Sequence, residues 1–206
     1  MFPDRFYLTG TDTDVGKTIT AALLCRALEL EYWKPAQAGL SEETDTEVVA
    51  RLAKVKTHPE TWRLKRPASP HAAAQDEQIR IALEDVSMPA SERILVEGAG
   101  GYQVPYADDP LLWQGDLIRH LGLPVVLVGR TGLGTLNHTL LSLRALRADG
   151  LDVAGLVLVG DEHHENQRDL QRMGEVSLLL RLPWMNNVER DFDACVTSIT
   201  HDLERS

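Results

Sequence analysis

The sequence predicts a single doubly wound α/β domain on a mostly parallel sheet, and three observations carry that expectation. Four short runs, RFYLTG, RILVEGAGG, LPVVLVGR and LDVAGLVLVG, are rich in Val, Leu and Ile and lack polar alternation, as strands buried on both faces do. Stretches with apolar residues at helical spacing fill the gaps, and strand, helix, strand recurrence defines this class. The third observation is size: 206 residues, 43% of them hydrophobic, support one sizeable core. Residues 1–206 are therefore expected to form one domain, without internal repeat, low-complexity tract or linker.

The first run passes through TGTDTDVGKT into a helix expected over Lys17–Leu30. Gly16, Lys17 and Thr18 open that helix directly after a strand, where free backbone amides and the helix dipole bind phosphate oxygens. The common phosphate-binding loop would start its glycines at position 11, but Thr11 stands there and Gly10 lies one residue upstream. Either the match is accidental, in an ordinary glycine-rich turn, or this is a P-loop lengthened by one residue; on the second reading the domain is of the P-loop NTPase type. Lys17 would reach the terminal phosphates, and Thr18 offers a hydroxyl to Mg²⁺, a hard cation that takes few protein oxygens.

Further along, the short run EYWKP brings Lys34 to the same sheet edge, either to hold an anionic nucleophile or as solvated surface. A helix expected over Asp45–Ala53 begins on Asp45, which is a cap or first-turn acid on one reading and a metal ligand on the other. His58–Ala74, with three prolines, reads as a surface loop. Glu97 ends the buried run ILVEGAGG, where a bare charge is costly, so a metal ion or a buried Arg or Lys must partner it. Helices follow over Trp113–Leu121, Leu136–Ala148 and Phe192–Leu203. The cluster DEHHE, residues 161–165, places adjacent histidines in different directions on a helix and reads as a solvated helix start rather than a metal site.

A net charge of −10 leaves no footprint for nucleic acid or an anionic membrane. Cys25 and Cys195 are too few and too far apart for a disulfide framework or a zinc site. With no apolar run of membrane-spanning length, the sequence predicts a soluble, cytoplasmic protein.

With these pieces in order, the chain resembles the dethiobiotin synthetase family from YLTGTDTDVGKT to RLPWMNN. The loop G-T-D-T-x-V-G-K-T resembles that family's own P-loop, whose extra residue carries the substrate side. KPAQAG resembles its lysine-proline segment, RPASPHAAA its S-P-H loop, ILVEGAGG its magnesium-binding strand end and GLGTLNHTLLS its second glycine turn. The resemblance implies a homodimeric ligase, dependent on Mg²⁺ and on ATP or another NTP, that makes dethiobiotin from 7,8-diaminononanoate and CO₂. One amine captures CO₂ as a carbamate, the carbamate takes the γ-phosphoryl group, and the second amine closes the ring and expels phosphate.

The family's roles carry over residue by residue. Lys17 and Lys34 flank the carbamate and the transferred phosphoryl group; Thr13 contacts the substrate and Asp14 faces the same site. Thr18, Asp45 and Glu97 hold Mg²⁺, Val15 and Gly16 join the nucleotide site, and Pro183 lies beside the base. Gly134, Thr135, Leu136 and Asn137 bind the substrate's distant carboxylate from the other subunit. Two positions depart from the pattern. Ala38 replaces a hydroxyl residue that contacts the diamine, and Val159 and Gly160 stand where an adenine-reading Asn is common. A nucleotide-switched ATPase of the chromosome-partition type shares fold and loop, but its signature lysine falls where this chain has Asp12.

Overall fold

The structure, a computed structural model, describes residues 1–204; the last two residues of the expected domain lie outside the described residues. Strand β1 (Arg5–Gly10) runs into helix α1 (Lys17–Leu28), followed by β2 (Glu31–Trp33), β3 (Ala36–Ala38), α2 (Asp45–Ala53), β4 (Thr57–His58), β5 (Trp62–Leu64) and α3 (Pro70–Glu77). The chain continues through β6 (Ile94–Gly101), the hairpin β7 (Pro105–Asp108) and β8 (Leu111–Trp113), α4 (Gln114–Leu121), β9 (Val125–Arg130) and α5 (Thr135–Ala148). It closes with β10 (Val153–Val159), α6 (His164–Gly174), β11 (Leu178–Leu182) and α7 (Val188–Glu204).

A seven-stranded sheet of order β11-β10-β9-β1-β6-β2-β4 forms the centre, and each of its pairings is parallel. The four apolar runs supply β1, β6, β9 and β10, the middle of that sheet. Alternation along each strand divides the core in two. Phe6, Leu8, Leu95, Val126 and Val157 meet α1, α2 and α7 on one face. Tyr7, Ile94, Val96, Leu127 and Leu156 meet α3, α4, α5 and α6 on the other. Strand β1, flanked by β6 and β9, is where the chain's two windings diverge, so ligands belong beyond its carboxyl end.

Several boundaries differ from expectation for identifiable reasons. The first helix stops at Leu28 rather than Leu30 because Glu29 turns left-handed (φ 54°) and its N–H closes onto the Cys25 carbonyl, while Leu30 is buried in the core. Trp113 ends a strand instead of starting a helix, Thr135 rather than Leu136 begins α5, and α7 starts upstream of Phe192, at Val188. His58–Ala74 is not a surface loop: it contributes β5 and the start of α3, and Trp62, Leu64, Pro70, Ala73 and Ala74 are buried. Pro70 sits in the first turn of α3, where a missing N–H costs nothing, so this proline opens a helix rather than marking a loop. The hairpin β7–β8, helix α6 beyond its first residues, and β11 are further elements that the apolar runs and helical spacing do not announce.

Candidate active site

The lengthened loop fits because β1 ends in glycine. Thr11 N–H bonds to the Val128 carbonyl at 2.9 Å and the Gly10 carbonyl accepts from Tyr102 N–H at 3.0 Å, tying the loop to β9 and to the turn just after β6. The chain then folds back over Gly10, where a Cβ would lie 2.8 Å from the Asp12 carbonyl oxygen and 2.9 Å from Val15 Cγ2. Any larger residue there would push the loop open. Asp14 takes a left-handed turn (φ 55°), Val15 drops into the core, and Gly16 (φ 96°) leads into α1 without a side-chain cap. The first-turn amides of α1 therefore have no internal acceptor, and no acid occupies that turn, which makes the helix end an anion site. Lys17, 7% exposed, donates to the Asp12 carbonyl at 3.0 Å.

Beside the loop, three charges and a hydroxyl meet with little solvent. Lys34 Nζ lies 2.9 Å from Asp45 Oδ2 and 3.2 Å from Glu97 Oε1. Thr18 Oγ1 donates towards Glu97 Oε1 at 3.2 Å and bonds closely to Asp45 Oδ1. Lys34 is buried at 5% exposure, so it is not the solvated lysine its setting beside a proline suggested. Asp45 is a first-turn acid of α2 but not its cap. Thr44 and Glu47 form a reciprocal capping box, which leaves the Asp45 carboxylate free to face Thr18 and Lys34. Glu97 has its buried lysine partner and shares Thr18 with Asp45.

The protonation of the cluster follows from these contacts. Burial alone would lower Lys34, yet the charges of Glu97 and Asp45 outweigh it and raise its ammonium above the ordinary lysine range. Burial pulls the Asp45 carboxyl up, but Lys34 and the Thr18 hydrogen bond together hold it below the ordinary range. Glu97 is pushed up by burial even with Lys34 beside it, and Lys17 is pulled down by burial against the opposing Glu97 charge.

A cavity of about 650 Å³ collects Thr13, Asp14, Gly16, Lys17, Thr18, Lys34, Ala38, Asp45 and Glu97, most of the site residues expected from sequence. The others stand apart. Val15 and Pro183 do not line this cavity, and Gly134 and Thr135 border a separate hollow of about 270 Å³ across the loop, facing Thr11, Asp12 and Thr13. Leu136 and Asn137 line neither space. Pro183 lines an apolar hollow of about 130 Å³ with Ile19, Val159 and Trp184, reached past Gly16. At the strand end where an adenine-reading Asn would stand, Val159 packs against Gly16, and a Cβ on Gly160 would collide with Thr131 Oγ1. Neither position can present an amide to a base.

Gln37, the S-P-H segment around Ser69, and Trp184 also line the large cavity. Gln37 accepts from Asp45 N–H at 3.3 Å, and Trp184 stacks under the Arg130 guanidinium at 5.8 Å, while Arg130 donates to the Asp14 carbonyl. Gln37 lies inside KPAQAG and Trp184 inside RLPWMNN, so position within a motif was the available signal for both. Among the described residues no group of three or more His, Cys, Asp and Glu could hold a metal. Of the cavity's carboxylates, Asp45 and Glu97 meet at the Thr18 hydroxyl.

A glycine-framed loop opening a helix at the carboxyl edge of a parallel sheet, with buried lysines and paired carboxylates, defines a P-loop NTPase. The structure is similar to a ParA family ATPase from Chlorobium tepidum TLS, with TM-score 0.56 and 11% identity over 98% of this chain and 93% of that one. It is also similar to the MinD cell division protein of Aquifex aeolicus, with TM-score 0.53 and 8% identity over 99% and 98%. Those likenesses are of fold alone. Residues 4–191 match a protein-family model described as AAA domain. The ATP-dependent dethiobiotin synthetase BioD of Brucella ovis is 43% identical over 188 residues, 89% of this chain and 88% of that protein. The chain belongs to the ATP-dependent dethiobiotin synthetase family.

Proposed function

We propose that residues 1–206 act as one domain that makes dethiobiotin from 7,8-diaminononanoate, CO₂ and a nucleoside triphosphate, as a cytoplasmic ligase forming C–N bonds. The observation that carries this reading is Lys34, held between Asp45 and Glu97 on the same cavity as Lys17, in a chain 43% identical to named synthetases. A nucleotide switch needs the loop and its lysine. A second buried lysine facing the same cavity suits a reaction with an anionic nucleophile.

The triphosphate rests on the open amides of α1, with Lys17 swinging from the Asp12 carbonyl to the terminal phosphates. Thr13 and Lys34 orient the carbamate towards the γ-phosphoryl group, and catalysis is positioning and charge neutralisation rather than covalent chemistry by the protein. Transfer yields NDP and a carbamic-phosphoric anhydride; attack of the second amine on its carbonyl closes the ring and releases phosphate. Thr18, Asp45 and Glu97, three hard oxygen donors converging within one cluster, fit Mg²⁺ and would hold it. When bound, the ion neutralises phosphate charge. Gly134 to Asn137 are assigned to the substrate's far carboxylate across a homodimer interface, which accounts for their standing outside the main cavity.

Incubation with diaminononanoate, bicarbonate and MgATP, followed by mass spectrometry, tests the reading. Dethiobiotin and one equivalent of ADP are expected. Nucleotide hydrolysis without dethiobiotin would point instead to the partition-type switch.

A further inference from the structure

The two oxygens of Glu97 have different surroundings. Oε1 faces Thr18 and Lys34, both at 3.2 Å, on the cavity side. Oε2 accepts from the hydroxyl of Tyr32, which does not line the cavity, at 2.9 Å. Tyr32 is fully buried and Glu97 is 1% exposed, so no solvent competes for that bond. The sheet register makes the contact possible. Tyr32 pairs with Leu95 across β2 and β6, side chains two apart on β6 share a face, and the phenol spans the one step from Leu95 to Glu97. The same core cluster holds Leu8, Leu24, Val49 and Leu95.

We infer that Tyr32 is the positioning residue of the cation site: by holding Oε2 it fixes the plane of the Glu97 carboxylate and presents Oε1 towards Thr18 and the nucleotide. The terminal torsion of a glutamate is broad, so the carboxylate has no preferred plane of its own. Lys34, a point charge on a flexible stem, attracts Oε1 without setting that plane. A directional hydrogen bond from a rigid phenol does set it, in the way outer partners orient the direct ligands of metal sites. Tyr32 touches neither substrate nor ion and acts through Glu97. The inference rests on the synthetase reading, and specifically on Glu97 as a carboxylate of the Mg²⁺ site.

The test is a double-mutant cycle read by Mn²⁺ binding, followed by electron paramagnetic resonance, in the presence of the non-hydrolysable β,γ-imido analogue of ATP. Tyr32→Phe should weaken Mn²⁺ about tenfold while the analogue's metal-free affinity stays within about twofold. On a Glu97→Gln background the same change should cost less than about twofold, because two residues acting as a unit are not additive. Turnover should fall in kcat with the diamine KM unchanged. Should Tyr32→Phe not fold, Tyr32→Met fills the space without a donor and carries the same expectation. Mn²⁺ affinity preserved in Tyr32→Phe, or lost equally on both backgrounds, would overturn the positioning role while leaving the synthetase reading intact. Wild-type Mn²⁺ binding indifferent to Glu97→Gln would instead remove Glu97 from the cation site, and the inference with it.

Discussion

Lys34 shows what burial does to a single residue. Its ammonium is raised above the ordinary lysine range by Glu97 and Asp45, so its stabilising contribution is fully present at neutral pH and is lost only as pH climbs through that raised value. Asp45 is depressed, and its contribution is lost only as pH falls below the ordinary carboxylate range. The pair therefore keeps its charges throughout the working range of an enzyme. Lys34→Gln removes the cation proposed for the reacting centre and should lower kcat about a hundred- to a thousandfold, or about 3–4 kcal/mol, with nucleotide affinity nearly unchanged. Steady-state kinetics beside calorimetric nucleotide titration checks this, and turnover within about tenfold of wild type would take Lys34 out of the mechanism.

At the scale of elements, the end of β6 is braced from behind. Gln114, at the start of α4, donates to Thr9 Oγ1 at 3.0 Å and to the Gly101 carbonyl at 2.9 Å, and its side-chain oxygen accepts from Tyr7 at 3.2 Å. Tyr106 on β7 completes the group and accepts from Ala99 N–H at 3.2 Å. Gly98 lies over this network, and a methyl there would collide with Gln114 Oε1 and come within 2.7 Å of the Tyr7 ring. Gly98→Ala should destabilise the fold by about 1–3 kcal/mol through overpacking, measured by urea denaturation; a neutral result would mean that the network shifts freely. The loop after β11 sets a different property. The hollow beside Pro183 is apolar, Asn187 accepts from Arg190 N–H at the start of α7, and Val159 and Gly160 offer no amide. A bidentate amide discriminates adenine by about 1–3 kcal/mol, so without one kcat/KM for ATP, CTP and GTP should agree within about tenfold. A preference for ATP beyond about a hundredfold would reveal another reader of the base.

For the molecule as a whole, the proposed homodimer makes a prediction at α5. Leu133 is fully exposed and Leu141 is more than half exposed, an apolar edge beside the Gly134 turn. Leu133→Glu should shift sedimentation towards monomer and raise the diamine KM while leaving nucleotide binding intact; an unchanged dimer would move the interface elsewhere. How much of this was legible beforehand follows from the range of each signal. The strands β1, β6, β9 and β10 and the loop from Gly10 to Thr18 declare themselves because apolar runs and a glycine-lysine motif are local patterns. Sequence alone also named Lys17, Lys34, Asp45 and Glu97, by motif. It did not determine that Lys34 is buried, that Thr44 rather than Asp45 caps α2, that Tyr32 holds Glu97, or that Pro67 to Pro70 wall the cavity. Those are decisions of tertiary structure. Lys34 and Glu97 stand 63 positions apart, and the protonation and worth of a charge depend on the solvent and partners left to it once distant segments have packed.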